Sequence, residues 1–393
     1  MIRCLATVSL ALALAAAVRP AAASILLAPS AGARDTAMTG SNVAAPTDLM
    51  TAFFQNPAGI SLQTVPAATL GSGFIFGDYQ IKTPGGYDET SSPLVLAPTG
   101  GFAMPLSDRW RIGFGMLGAL GTKYDFPADP AHGVPNDYYS ELAVITFTPT
   151  VTYTVTPDLS VGLQINPLYG KQKTRIGPPG QQTRWTIDGF GIQGAVGLLY
   201  RVHPDWHVAV TYKTPGEIYM GGLADVVGTH EDLRLNLDVA QQVIIGAAWR
   251  PRPDWLFTVA GRWSDTSVWE DSELEFQNTP ALDQPFATDA RDVLRIGAGV
   301  EYRLREELVL RSGVARGQAT MGASSITPLA YDVNDLVLAI GFGLTRGRWI
   351  VDGHFGAAIG DDRWVTAAEA RAIPGRFSAS GFASYWQLTR RFD

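Results

Sequence analysis

Six short connections most constrain the fold of this 393-residue chain, because each joins two stretches in which apolar residues alternate with small or polar ones. Alternation with a period of two residues is typical of a β-strand that has one apolar face. Several connections carry a Pro-Asp pair, which favours a turn because proline presets φ and aspartate can bond its own backbone. Short turns at one end and longer loops at the other are typical of outer-membrane β-barrels. The six connections lie at 106–109, 156–159, 202–206, 250–255, 304–307 and 345–348.

The first 23 residues predict a secretory signal peptide. A basic residue, Arg3, precedes an apolar run at 5–18, and Ala21-Ala22-Ala23 supplies the small residues of a cleavage site, so we expect cleavage after Ala23. The only cysteine of the chain, Cys4, lies inside this segment. The mature protein is therefore expected to contain no thiol and no disulfide.

The charge balance of the mature chain argues against nucleic acid as a partner. Loss of Arg3 and Arg19 leaves 28 of the 30 basic residues against 37 acidic ones, a net charge of about −9. No apolar run of 18 residues follows residue 23, so no transmembrane helix is predicted. The pattern of short turns and longer loops instead predicts strands that cross the membrane, and hence a protein of the bacterial outer membrane.

Fourteen strands can be counted, and an even number places both ends of the chain on the short-turn, periplasmic side of the barrel. We therefore predict an all-β fold, a 14-stranded antiparallel transmembrane β-barrel over 66–393. In one strand Leu294 and Ile296 share the apolar face, and Arg295 lies on the other. The apolar face should contact lipid, because an unpaired charge at mid-bilayer costs about 2–4 kcal/mol. The strands are predicted near 67–81, 97–105, 109–120, 142–155, 159–171, 184–201, 206–213, 232–249, 255–266, 291–303, 307–316, 334–344, 348–359 and 377–392.

The segment 24–65 does not alternate like a strand. Residues 48–55 read as a short helix that ends at Asn56-Pro57-Ala58, a helix stop followed by a turn. A barrel of this width leaves a lumen that wall side chains do not fill, and wide barrels are often plugged. We therefore predict that 24–65 forms a small N-terminal hatch inside the lumen.

At this point the chain resembles a known family. Asn56-Pro57-Ala58, preceded by Phe53-Phe54 and a segment rich in glycine and alanine, resembles the hatch motif of the FadL/TodX-type outer-membrane transporters of long-chain fatty acids and other hydrophobic compounds. The hairpin from 147–153 to 157–162 is similar to that family too, and the likeness runs over nearly all of the mature chain.

The resemblance implies a monomeric barrel that carries fatty acids or aromatic hydrocarbons inward. A hatch rearrangement passes the ligand through a lateral opening beside a kinked third strand. By position the kink falls in 109–121, which contains Gly113, Gly115 and Gly118. Glycine inside a strand marks a bend or a close approach of backbone. The alternative is that these glycines only relieve crowding along the wall. No energy-coupling motif is visible near the N-terminus, so passive uptake is expected.

Candidate ligand contacts follow from the direction of the side chains. Arg262, Arg295 and Arg311 are predicted to face the lumen, where arginine could bind a carboxylate with two parallel hydrogen bonds. Alternatively they pair with acidic residues and brace the barrel, which would favour a neutral hydrocarbon as ligand. Phe53 and Phe54 either line the ligand pocket or form the core of the plug. Outer-membrane lipid and detergent-like molecules are the other expected partners.

Two alternative functions remain open at the sequence level. A porin-like channel or a structural accessory barrel would share the strand pattern, although a plug argues against an open pore. The loops, especially 172–183, are also short for the family, which puts a docking groove on the outer side in doubt. An enzyme is not favoured, since His354 lies two residues after Asp352 but no serine in a suitable context is nearby in sequence. No cofactor is predicted, and no metal site, since no spacing of metal ligands is apparent.

Overall fold

The computed structural model describes residues 29–392, so the predicted signal peptide at 1–23 lies outside the described residues. Fourteen strands form the barrel. Three of them, β4, β7 and β8, are each interrupted once near mid-length, and β2 is interrupted once near its start. The barrel strands are β1 (Ala67–Lys82), β2 (Asp88–Ser91 and Leu94–Pro105), β3 (Trp110–Phe126), β4 (Asp137–Phe147 and Thr150–Thr156), β5 (Leu159–Gly177), β6 (Thr183–His203), β7 (Trp206–Lys213 and Gly216–Val226), β8 (Thr229–Val239 and Gln242–Arg252), β9 (Trp255–Ser264), β10 (Val293–Arg303), β11 (Leu308–Gly317), β12 (Asp335–Arg346), β13 (Trp349–Gly360) and β14 (Gly375–Arg391).

The remaining elements are short. Two α-helices precede the barrel, α1 (Ala33–Ala37) and α2 (Leu49–Phe54). Single 3-10 turns lie at Pro57–Leu62, Pro130–His132, Thr266–Glu270, Pro280–Leu282 and Ala323–Ser325, and short strands at Glu273–Phe276, Gln284–Pro285 and Arg363–Val365. Among residues 29–392, no helix has the length and apolar character needed to cross a membrane.

The sheet closes on itself. Each strand pairs antiparallel with the next, and β14 pairs with β1 from Ala67–Arg391 to Lys82–Arg376. All six short connections predicted from the sequence join neighbouring strands at one end of the barrel, for example Pro157-Asp158 between β4 and β5. The predicted closed barrel of fourteen antiparallel strands is confirmed. Below, the end with these six connections is called the turn end, and the opposite one the loop end.

The predicted strand boundaries are wrong at β7 and β8. A long loop was expected at 214–231, but both strands continue and meet at a two-residue turn, Val227-Gly228. Thr214 and Pro215 interrupt β7 because proline has no N–H to donate to a ladder. That interruption resembles a strand end in the sequence. Beyond it the alternation resumes, with Ile218 buried and Tyr219 exposed.

The two faces of the wall differ as the alternation predicts. Leu294 and Ile296 of β10 are about half exposed on the outer surface, whereas Arg295 points inward to Asp335. Aromatic rings gather on the outer surface near the turn end, where Trp206 stacks on Trp249 with ring centroids 5.5 Å apart. Amphipathic rings favour the boundary between lipid and water. The barrel therefore presents lipid with an apolar band that ends in aromatic residues.

Residues 29–65 fold inside the lumen. The side chains of α1 and α2 are almost all buried, and α1 contacts β11, β12, β13 and β14 while α2 contacts β1, β2 and β3. Asp48 caps α2 by accepting a hydrogen bond from Thr51 N at 3.1 Å, and Asn56 caps the following 3-10 turn by accepting one from Ala58 N at 3.0 Å. We call residues 29–65 the hatch.

A second segment enters the lumen from the loop end. The connection between β11 and β12, residues 318–334, buries Tyr331, whose ring lies 5.8 Å from that of Tyr79 and 5.4 Å from that of Tyr124. Tyr331 also donates to Ser378 O at 3.0 Å, and Tyr124 donates to Tyr331 O at 2.8 Å. This loop therefore fills part of the lumen opposite the hatch.

The Val227-Gly228 turn gives a test of the fold. Both residues have positive φ, +52° and +89°, a conformation that β-branched residues resist and asparagine tolerates. We expect Val227→Asn to raise the free energy of unfolding by about 1 kcal/mol. Urea denaturation in lipid vesicles would measure it, with Val202→Asn, at a residue of ordinary φ, as control. Equal effects of the two changes would contradict the assigned turn.

Candidate transport site

Glycines of the barrel wall accommodate the tip of α2. The ring of Phe53 lies against Gly101, Gly113 and Gly115, where an added Cβ would be 2.5, 2.8 and 2.7 Å from ring carbons. Such distances are far below van der Waals contact, so no larger residue fits there without moving the ring. Gly113 and Gly115, two of the glycines predicted at the lateral opening, thus make room for Phe53 of the hatch. At Gly118 no atom lies within 4 Å of where an added Cβ would be.

The Asn56-Pro57-Ala58 turn is fixed to β4 and β6. Thr152 Oγ1 donates to Pro57 O at 2.9 Å, and Asn56 Nδ2 donates to Leu198 O at 3.1 Å. Gly197 leaves room for the Asn56 side chain, since a Cβ there would overlap its carbonyl oxygen. The turn therefore contacts the wall directly and does not line either of the cavities described below.

An inner cavity lies beside the hatch. It has a volume of about 60 Å³ and is bounded by Phe53 and Phe54. The other lining residues come from β3 to β8 and from the loop after β9, and they are Leu117, Ala119, Leu120, Val144, Thr146, Thr148, Gln164, Asn166, Leu168, Gln193, Lys213, Leu237, Asp238, Val239, Ala240, Gln242 and Trp269. Its volume is small beside the roughly 300–1,000 Å³ of a typical small-molecule site, and eight of its 19 lining residues are polar or charged.

The barrel wall loses a hydrogen-bonded ladder next to this cavity. The pairing of β2 with β3 ends at Gly100–Met116, and Pro98 follows in β2 without an N–H. Between Leu117 and Tyr124, β3 pairs only with β4 among the described residues, until Asp125 N donates to Ser91 Oγ at 3.0 Å. The ladder from β3 to β4 also shifts between Gly118 and Leu120. The third strand is therefore bulged where one of its edges is unpaired.

The three candidate arginines lie away from both cavities. Arg295 Nη1 contacts Asp335 Oδ2 at 2.8 Å, and Arg311 contacts Glu301 at 2.9 Å and Asp352 at 2.6 Å. Arg262 Nη2 donates to Gln55 Oε1 of the hatch. Their guanidinium groups are thus engaged by the barrel or the hatch in this structure.

Lys213 lines the inner cavity but is not among the residues that the sequence singled out. Its Nζ lies 4.3 Å from the centroid of the Phe54 ring and lines the inner cavity. No carboxylate of residues 29–392 comes within 4.0 Å of that nitrogen, while the other charged lining residue, Asp238, accepts from Ser272 Oγ at 3.0 Å. Alternation along β7 places Lys213 on the inner face, but nothing in the sequence separates it from the other inward cations.

The carboxyl group of Asp35, in α1 of the hatch, has a raised pKa. Burial raises the pKa of Asp35 to about 7, while hydrogen bonds from Gln55 Nε2 and Ala31 N, both 2.9 Å long, act in the opposite direction. The Asp35 carboxyl therefore holds its proton up to near-neutral pH.

An outer cavity of about 220 Å³ lies on the same side of the lumen, nearer the loop end. Residues of β3, β4, β5, β6 and β8 form its inner part, and the three longest loops form its mouth. The two cavities share two strands of the wall. Strand β4 contributes Leu142 to the outer cavity and Val144 to the inner one, and β8 contributes Leu235 to the outer cavity and Leu237 to the inner one. The two cavities therefore follow one another along the barrel.

Asp352 and His354, the two residues weighed for catalysis, make no hydrogen bond to each other among residues 29–392. Asp352 bonds to Arg311, and neither ring nitrogen of His354 has a hydrogen-bond partner among residues 29–392. In the same range, no group of three or more His, Cys, Asp or Glu side chains is arranged to hold a metal ion.

The family follows from comparison with known proteins. The model of the family described as outer membrane protein transport protein (OMPP1/FadL/TodX) matches residues 12–346, and the chain belongs to this family. It is a bacterial outer-membrane β-barrel of a family of transport proteins. Comparison with curated protein sequences gives no match.

Solved structures share the fold at low sequence identity. A FadL homologue of Pseudomonas aeruginosa gives a TM-score of 0.81 at 13% identity, with 94% of this chain and 100% of that chain covered. The toluene transporter TodX of Pseudomonas putida gives 0.73 at 16%, with 94% and 100% covered. The toluene transporter TbuX of Ralstonia pickettii gives 0.70 at 18%, with 93% and 99% covered.

The glycine seat of Phe53 gives a second test. An alanine Cβ at Gly115 would lie 2.6 Å from Thr148 Oγ1 and 2.7 Å from Phe53 Cδ2, so we expect Gly115→Ala to lower the free energy of unfolding by about 1–3 kcal/mol. Gly118→Ala is the matched control, because its Cβ meets no atom within 4 Å. Chemical unfolding in lipid vesicles measures both, and a Gly118 variant as unstable as the Gly115 variant would contradict this packing.

Proposed function

We propose that the protein takes up hydrophobic small molecules, such as fatty acids or aromatic hydrocarbons, passively across the outer membrane. One observation carries this proposal. The inner cavity touches both the hatch, through Phe53 and Phe54, and the bulged part of β3, through Leu117, Ala119 and Leu120. A ligand in this cavity would lie between the movable plug and the unpaired edge of the wall.

The route begins at the loop end. A ligand would enter the outer cavity and move along the inward faces of β4 and β8, where buried leucines and valine continue from one cavity to the next. The apolar surface of this inner part of the route favours a hydrophobic molecule over water, because each buried CH₂ is worth about 0.8 kcal/mol.

Release occurs sideways, through the wall. The edges of β2 and β3 beyond Gly100–Met116 have no ladder between them, so a ligand can pass there without breaking strand pairs. The hatch tip at Phe53 stands against β2 and β3 just below this gap, and its shift would open the path. Transfer into the membrane would then be driven by the ligand's own concentration gradient.

The alternatives make different use of the same barrel. An open porin needs a water-filled lumen, whereas here the hatch and residues 318–334 occupy it. A structural accessory barrel could keep the plugs but would have no use for an apolar cavity beside an unpaired edge. TodX and TbuX are named as toluene transporters, which supports a hydrophobic ligand for this chain as well.

We expect single-chain barrels with lipid or detergent on the outer surface. The apolar face of the wall is oriented outward around the closed sheet, and β14 pairs with β1, so the ring of strands has no open edge where it closes. The proposed site residues are thus the hatch tip, the bulged part of β3 and Lys213, and the proposal requires no metal or cofactor.

Uptake measurements test the gap. Cells that lack their own hydrophobe transporter would be given radiolabelled oleate or toluene, with the wild type or with Ala119→Trp. We expect the indole at Ala119 to fill the cavity beside the gap and to abolish most of the uptake. Ile340→Trp, on the lipid face of β12, is the control for an added indole.

The outcomes separate the candidate functions. Loss of uptake with Ala119→Trp but not with Ile340→Trp supports lateral release. No uptake of either compound by a correctly inserted wild-type barrel would overturn the transport proposal and favour a structural role.

A further inference from the structure

The outer surface of the barrel changes from apolar to basic along β5 and β6. On β6 the outward side chains from Tyr200 to Phe190 are apolar or aromatic, apart from one glycine, and Phe190 packs on Tyr169 of β5 with ring centroids 5.2 Å apart. This length of strand spans about 33 Å, or about 25 Å of height at a tilt of about 40°, which matches the apolar band of an outer-membrane barrel. The Tyr169–Phe190 pair therefore marks the edge of the lipid-facing band toward the loop end.

Five basic side chains lie directly beyond this edge, on the outside of the barrel. On β5 every second residue from 171 to 175 is basic and points outward, because Gln172 and Thr174 between them are buried on the lumen side. Strands β3 and β6 add one basic residue each, in the same rows of paired residues. Three of the five lysines of the chain lie here. The set, called the basic surface below, consists of Lys123, Lys171, Lys173, Arg175 and Arg184.

Acidic neighbours neutralise only part of this charge. Arg175 Nη2 lies 3.2 Å from Asp125 Oδ1, and Lys173 Nζ lies 4.0 Å from Glu141 Oε2, in ion pairs whose members are all at least one-third exposed. Exposed pairs of this kind bind weakly. The other three cations have no carboxylate of residues 29–392 within 4.0 Å, since Asp188 on β6 accepts from a tyrosine hydroxyl instead. The basic surface therefore presents cations that the described part of the chain leaves uncompensated.

Two guanidinium groups of the basic surface face each other across a ladder. Arg175 and Arg184 are directly opposite residues of β5 and β6 and point to the same side of the sheet. Like charges in such positions destabilise a sheet. Arg184 donates to a neutral group, Gln182 Oε1, and Arg175 Nε is buried without a partner among residues 29–392. An anion bound between the two groups would relieve the repulsion and accept charge-assisted hydrogen bonds.

The position of the basic surface indicates the source of this anion. Arginine binds phosphate with two parallel hydrogen bonds, and lysine binds it as a point charge. The surface lies outside the lumen and is continuous with the apolar band at Tyr169 and Phe190. A lipid of the outer leaflet would place its phosphate on the cations and its acyl chains along that band. The outer leaflet of this membrane carries such a lipid, a glycolipid with phosphate groups on its sugars.

We propose that the basic surface is a binding site for the phosphorylated glycolipid of the outer leaflet, lipid A. Its phosphate lies between Arg175 and Arg184, Lys171 and Lys173 contact the sugar phosphates from β5, and the acyl chains lie along Phe190. The site fixes the height of the barrel in the membrane and places ordered lipid against the side of β3 to β6. It does not depend on what the lumen carries.

Native mass spectrometry of the purified barrel tests the site. The mature chain in detergent micelles would be mixed with diphosphoryl lipid A and dioleoylphosphatidylglycerol together, and the bound fraction of each measured against concentration. We expect lipid A to bind at the lower concentration, because it offers two phosphates to several cations. An excess of inorganic phosphate should displace little of it, since free phosphate has no chains to contact the apolar band.

Substitutions at exposed positions show which cations bind the lipid. The triple variant Lys171→Gln, Lys173→Gln and Arg184→Gln should weaken lipid A binding by about 100-fold, since each basic residue near an anionic lipid surface contributes roughly fivefold. Resistance to unfolding in dodecyl sulfate before heating would show that the barrel is intact. The matched control removes three exposed arginines at the turn end, Arg252→Gln, Arg305→Gln and Arg346→Gln.

The opposed arginines give a second readout. In micelles without glycolipid, Arg184→Gln should melt no lower than the wild type, because it removes one of two like charges. Addition of lipid A should then raise the melting temperature of the wild type more than that of the variant. An equal rise in both would show that this pair does not hold the phosphate.

The outcomes decide between the glycolipid and other anions. Loss of lipid A from the first triple variant but not from the turn-end control supports the site. Equal binding by the two triple variants, or displacement of lipid A by inorganic phosphate alone, overturns it. Phosphatidylglycerol that binds as tightly as lipid A, and is lost from the same variant, would show a surface for any anionic lipid and overturn the assignment to the glycolipid.

Discussion

The structure depends on the requirement that every backbone N–H and C=O inside a membrane be hydrogen-bonded within the protein. A closed ring of fourteen strands meets this requirement, with β14 paired to β1 along sixteen residue pairs. Closure has two consequences. It leaves a lumen that must be filled if the barrel is not to be an open pore, and it makes any missing ladder a costly feature. The missing ladder between β2 and β3 is therefore the place where function is to be expected, since Pro98 and the bulge at Gly118–Leu120 both maintain it.

The hatch is held in the lumen by fit and by charge. Wall glycines admit Phe53 and the Asn56 turn, while Arg34 of α1 bonds to Glu301 at 2.9 Å. Glu301 also contacts Arg311, which contacts Asp352, so a buried chain of ion pairs joins the hatch to β10, β11 and β13. Loss of one member of such a chain typically costs about 3–5 kcal/mol. Charge thus attaches the α1 end of the hatch to the wall, and hydrogen bonds from Gln164 to Phe53 O and from Asn56 to Leu198 O, 3.1 Å each, attach the α2 end.

The sequence predicted the barrel well because alternation and turn chemistry are local. All six short connections, the strand number and the outward faces could be read from residue order alone. What it missed depends on distant residues. Arg295 and Arg311 were placed on the inner face, and pairing with acidic residues was one of the two alternatives. Their partners Asp335 and Asp352 lie about 40 residues away and could not be named from the sequence. Gly113, Gly115 and Gly118 look alike in sequence and differ only because Phe53 lies against the first two. Lys213 gains its position from Phe54, which comes from the hatch.

Movement of the hatch is the central claim, and a reversible cross-link tests it most directly. Ser41 Oγ of the hatch lies 2.7 Å from Thr258 Oγ1 of β9, both buried, so cysteines at these two positions can form a disulfide that fixes the hatch to the wall. Uptake of labelled ligand would be compared in the oxidised and the reduced double variant. The account predicts that oxidation blocks uptake and that reduction restores it. Equal uptake in both states, with the disulfide shown to be complete, would contradict transport by hatch movement.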